Sequence, residues 1–154
     1  MTQPEKTKDE AVSPVGDFIA LVGGFMGVLF AAFLNWYTIS GNKVPVGVDK
    51  AKVGIKVPVG VLCFMVSAAV FIFAIFVLIG RFVNPNFRLM RSPGWVYSTG
   101  SAILFMACIF GLVVTPKIAS ELGGLQGTNY GLSAGIIMEL IAASVVGVAG
   151  LLKF

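Results

Sequence analysis

Four long apolar stretches, each bounded by polar or turn-forming residues, dominate this chain. They run over about residues 18–38, 58–80, 95–115 and 130–152. Each holds about 21–23 residues, and a helix needs roughly 20 to cross a ~30 Å hydrocarbon core. The pattern predicts four transmembrane helices. Glu139 is the only formal charge inside any of them.

The segments between them set the topology. Residues 1–17 form a polar tail with Pro4, Pro14 and the charges of Glu5, Lys6, Lys8, Asp9 and Glu10. Those charges nearly cancel, which does not suit the positive start of a signal peptide. Short links join helices 2 to 3 and 3 to 4 and favour antiparallel neighbours. The first link is longer and repeats itself: Lys43-Val44-Pro45-Val46-Gly47 returns as Lys56-Val57-Pro58-Val59-Gly60. Val44, Val46 and Val48 alternate with other residues, as do Val53, Ile55 and Val57, and alternating β-branched residues read as strands. The expectation is a small β-hairpin over about 42–57, with an irregular loop as the alternative. The fold class is thus an all-α integral membrane protein, an antiparallel four-helix bundle with a hairpin or loop between helices 1 and 2.

Composition agrees. Of 154 residues, 57% are hydrophobic and 12% charged, against roughly 45–50% and 25% in soluble domains. Too little polar surface remains to cover a water-soluble globule. With no histidine, the chain lacks the commonest metal ligand and general base. The net charge of +4 comes from scattered basic residues, which suits anionic lipid headgroups rather than nucleic acid. No phosphate loop, nucleophile elbow or pair of intramembrane carboxylates is present, so neither an enzyme nor a bound cofactor or metal is expected. Asp17, Asp49 and Glu121 lie at edges or in links, Asp17 being suited to the positive N-terminal end of helix 1.

Trp36, Tyr37, Trp95, Tyr97 and Tyr130 all fall at predicted helix ends, where amphipathic rings anchor to the membrane interface. The link carrying Arg81, Arg88 and Arg91 reads as a headgroup contact. It tips the orientation toward both termini inside, although six basic residues on that side face five on the other.

Glycine and alanine form stripes on two helices. Gly131, Gly135, Glu139, Ala143 and Gly147 follow at spacing four on helix 4, while Gly23, Gly24, Gly27, Ala31 and Asn35 share a face of helix 1. Small residues let membrane helices approach closely, so these stripes predict packing of helices 1 and 4 on each other or on another subunit. Glu139 falls on the stripe about 13 Å into helix 4, near the bilayer midplane. An acidic residue there costs on the order of 2.5–3.5 kcal/mol by insertion scales. Depth counting brings Ser67 of helix 2 to the same level, with Asn35 nearer the surface. Cys63 and Cys108 also share a depth and read as small hydrophobes in a packed interface.

A helix ending in Leu34-Asn35-Trp36-Tyr37, then an exposed hairpin and three more helices, resembles in topology the tetraspan proteins of the claudin kind. The first outer link lacks that family's cysteines and tryptophan, and no function is carried over. The expected role is a small non-catalytic membrane subunit. It packs among other membrane protein subunits and lipid through its small-residue faces and hairpin, in a bacterial cytoplasmic membrane. The competing expectation is an oligomeric proton- or cation-coupled transporter with Glu139 as its ionisable site.

Overall fold

A computed structural model of the chain describes residues 14–41, 51–84, 93–123 and 128–153. Four helices carry the fold: α1 (Val15–Phe33), α2 (Pro58–Val83), α3 (Gly94–Gly123) and α4 (Ala134–Leu151). All four are long and apolar enough to cross a membrane, which fits a multi-pass integral membrane protein. α1 packs on α2 and α4, and α3 packs on α4 and, over a shorter stretch, on α2.

Local sequence explains where the helices start and stop. Pro58 opens α2 at a position that needs no amide donor. Asn84, which precedes Pro85, ends α2 in an extended conformation. α1 stops when Leu34 turns extended at φ −88°, ψ 146°. Trp36-Tyr37-Thr38-Ile39 follows, a run of aromatic and β-branched residues that suits a strand.

That run belongs to a three-stranded sheet. Strand β1 (Asn35–Gly41) lies at its centre, between β2 (Ala51–Val53) and β3 (Thr128–Leu132), and both pairings are antiparallel. The β1–β3 register runs from Tyr37 opposite Leu132 to Gly41 opposite Thr128. The Ser133 amide extends it by donating to Trp36 O at 3.0 Å. The β1–β2 register shifts between Asn35 and Tyr37, and a 3-10 turn (Gly54–Lys56) then leads into α2.

These elements correct several expectations. Helix 1 does not reach residue 38, because its last predicted turn is strand β1. Helix 4 starts at Ala134 rather than 130, because Tyr130 and Gly131 belong to β3. The alternation over 53–57 gives one short strand and a 3-10 turn, and the remainder of the expected hairpin, residues 42–50, lies outside the described residues. The membrane-end structure therefore draws on the link between helices 3 and 4 as well as the first link. Hydrogen bonding explains this: a lone hairpin is marginal, and a third strand satisfies the other edge of β1.

Two apolar clusters fill the bundle. One gathers Ala31, Trp36, Cys63, Leu104, Ala107, Cys108, Ile136 and Ala143; the other gathers Ala20, Val70, Ala74, Tyr97, Val146 and Ala149. Along α2, Ser67 separates Cys63 of the first from Val70 of the second. Phe25, Phe33, Met65, Phe76, Met106 and Ile141 are among the large side chains that face outward.

Candidate functional site

Two buried polar centres stand out. The first joins three helices. Ser67 of α2 donates its hydroxyl to Glu139 Oε1 of α4 at 3.1 Å, and both side chains are fully buried. Gly27 of α1 closes over the pair. A Cβ at Gly27 would collide with the Ser67 hydroxyl and stand 3.0 Å from Glu139 Oε1. Glycine is thus favoured here by close approach, since any Cβ would force the Ser67 side chain to shift. Glu139 Oε2 is the one buried side-chain polar atom without a hydrogen-bond partner among the described residues. Because α4 begins at Ala134, Glu139 is only about 8 Å from its start, nearer the sheet end of the bundle than its predicted midplane position.

The second centre lies at the opposite end and was not foreseen. Asp17, in the first turn of α1, is fully buried and meets all three other helical segments. Tyr97 of α3 donates its hydroxyl to Asp17 Oδ1 at 3.0 Å. Lys153, just past α4, donates to Oδ2 at 2.8 Å, and Arg81 Nη1 of α2 lies 3.1 Å from the same oxygen. The Lys153 stem packs beside Gly16 and Gly94, so its methylenes are covered while its ammonium reaches the carboxylate. Burying a charge is costly unless it is paired and hydrogen-bonded, and Asp17 meets both conditions.

Other residues singled out in the sequence take definite places. Gly23 and Gly24 diverge: the first lies against Val146 of α4, the second against Phe71 of α2. Ala31 and Ala143 are buried in the first cluster. Ala143 O also accepts a 2.8 Å bond from Ser101 of α3, and Ser101 sits beside Gly147. Gly23 thus packs α1 on α4, one of the two arrangements expected of the stripes, while Gly24 and Gly27 serve α2. Asn35 is exposed on β1 and takes no part in the Glu139 centre.

The aromatic residues divide. Trp95 is 67% exposed, whereas Trp36 and Tyr97 are fully buried and do not face the membrane interface. Trp36 is held beneath the sheet, donating from Nε1 to Phe30 O at 3.4 Å. Gly135 leaves room for it, since a Cβ there would lie 2.6 Å from Trp36 Cδ1. Tyr37 donates its hydroxyl to Gly111 O at 2.9 Å. Arg81 is tied to Asp17, and Arg88 and Arg91 lie outside the described residues. Cys63 and Cys108 are both buried as free thiols in the same apolar cluster.

Depth counting, which pointed to Ser67 for Glu139, also finds the missed centre. In an up-and-down bundle, positions 17, 81, 97 and 153 all fall at one end. Among the described residues, no group of three or more His, Cys, Asp or Glu side chains is arranged to hold a metal ion. No protein-family model and no curated protein matches this chain.

Proposed function

We propose that the protein is a small, non-catalytic integral membrane subunit, an antiparallel bundle that inserts into a bilayer and stabilises a larger membrane protein complex. The observation that carries this reading is the sheet at one end of the bundle. Its outer strands β2 and β3 flank a central β1, and outer strands offer backbone donors and acceptors to a neighbouring chain. The rest of the molecule suits such a role. The small residues lock the four helices to one another, and large apolar side chains cover the outside for lipid and for partner helices. Asp17 gathers Arg81, Tyr97 and Lys153, and Ser67 holds Glu139, so buried polar contacts join the helices at two levels. In the orientation with both termini inside, in a bacterial cytoplasmic membrane, the Asp17 centre faces the cytoplasm and the sheet faces outward.

Gentle detergent extraction followed by native mass measurement tests this. Companion subunits should remain with the chain. A lone 16.2 kDa species under conditions that preserve known membrane complexes would overturn the reading.

One observation favours a second reading, in which Glu139 is the proton or cation site of an oligomeric transporter: its Oε2 has no partner among the described residues. Intramembrane carboxylates commonly mark such paths. Glu139→Gln separates the two readings. It retains size and hydrogen bonding but cannot ionise, so assembly should survive in both cases and coupled flux should collapse only in the second.

A further inference from the structure

A cleft of about 160 Å³ lies between the start of α1 and the end of α2, lined by Pro14, Phe18, Leu78, Arg81 and Phe82. Four of these five residues are apolar, and the fifth brings a guanidinium that Asp17 holds through Nη1 at 3.1 Å. We propose that this cleft is a binding site for an anionic phospholipid. An acyl chain lies against Phe18, Leu78 and Phe82, and the phosphate meets Arg81.

The proposal rests on the reading of the four helices as membrane spans, and three observations carry it from there. Phe18 is 45% exposed and Phe82 79%, so the cleft opens to the surroundings of the bundle. In a bilayer those surroundings are lipid. An empty cleft would deprive its apolar walls of dispersion contacts, and water would find little there to bond with besides the guanidinium.

The second observation is height. Arg81 stands in the last turn of α2, where a span meets the headgroup layer. Its planar fork of donors matches phosphate oxygens, and the Asp17 contact fixes its direction.

The third is the division of labour between the two cations on Asp17. The Lys153 side chain is 1% exposed and the Arg81 side chain 17%. Lys153 is sealed inside, and Arg81 is the one presented at the cleft. The positive charge behind it favours an anionic over a zwitterionic headgroup.

The test uses the full chain in non-ionic detergent. Native mass spectrometry follows uptake from an equimolar mixture of phosphatidylglycerol and phosphatidylcholine with identical acyl chains. Wild type should favour phosphatidylglycerol by about fivefold, the effect of roughly one basic residue near a lipid surface. R81K should keep most of that preference and R81Q should lose it. Because R81Q also removes a partner of Asp17, F18W supplies an independent variant. It narrows the cleft without touching the ion pair, and should lose both lipids while its thermal stability stays near wild type.

Equal uptake of the two lipids by wild type would overturn the proposal. So would a preference that persists in folded R81Q, undiminished lipid uptake by F18W, or displacement of the lipid by inorganic phosphate alone. Loss of the preference with companions still co-purifying removes only the lipid site. A companion-free protein that keeps the preference removes only the subunit reading.

Discussion

Lys153 and Asp17 stand 136 positions apart in the chain, yet the Lys153 ammonium lies 2.8 Å from Asp17 Oδ2. Both side chains are closed off from the surroundings. The contact ties the last turn of the bundle to its first, and Tyr97 and Arg81 bring the other two helices to the same carboxylate.

Removing one side of a buried pair leaves the other charge uncompensated, at a cost of about 3–5 kcal/mol. Asp17→Asn should therefore lower the thermal unfolding temperature in detergent substantially, as followed by circular dichroism. Pairing it with Lys153→Met should restore part of the loss, because no ammonium is then stranded beside a neutral amide. Purely additive losses would show that the two groups are not coupled.

The Ser67–Glu139 centre predicts a different pattern. Ser67→Ala takes away the hydroxyl that satisfies a buried carboxyl oxygen and should cost about 1–3 kcal/mol. Gly27→Ala forces a methyl group into the space of that hydroxyl and should also destabilise. In the Ser67→Ala background the added methyl meets less, so the double variant should be more stable than the sum of the singles predicts. Strict additivity in unfolding measurements would rule out the crowding at Gly27.

The two tryptophans should behave as opposites. Trp36→Ala empties a buried site and should cost about 3–5 kcal/mol, whereas Trp95→Ala on the exposed start of α3 should be close to neutral. In single-tryptophan variants reconstituted with brominated lipid, Trp95 emission should be quenched and Trp36 emission spared. Equal quenching would contradict the burial of Trp36 beneath the sheet.

Cys63 and Cys108 should resist maleimide in the folded protein and both react once it is denatured. The first half tests their burial and the second tests whether they are free thiols. A labelling yield that rises only after a reductant is added would reveal a disulfide between α2 and α3.

The helices were legible because their signal is local and long: about twenty apolar residues in a row have few other uses. The ends were less legible. Trp36-Tyr37-Thr38-Ile39 is apolar enough to continue a span, and apolarity alone does not separate the last turn of a helix from a strand. Strand pairing with residues 128–132 decided it, and the alternation within the first link gave no sign of that distant partner. Glu139 was conspicuous as a charge inside an apolar run. Asp17 was not, because a carboxylate near a helix start suits the helix dipole whether or not anything lies opposite it.

The sequence by itself determined the number of long apolar helices, the scarcity of charge within their apolar runs and the common level of Glu139 and Ser67, since each follows from composition and spacing along the chain. Only the tertiary structure decided which neighbours the small residues serve, that Trp36 and Tyr97 point inward, and that Asp17, Arg81, Tyr97 and Lys153 form one buried cluster. The reason is physical. Length and hydropathy act along a single segment, whereas a glycine's neighbour, a buried ring or a carboxylate shared by four segments depends on surfaces that meet only once the helices have packed.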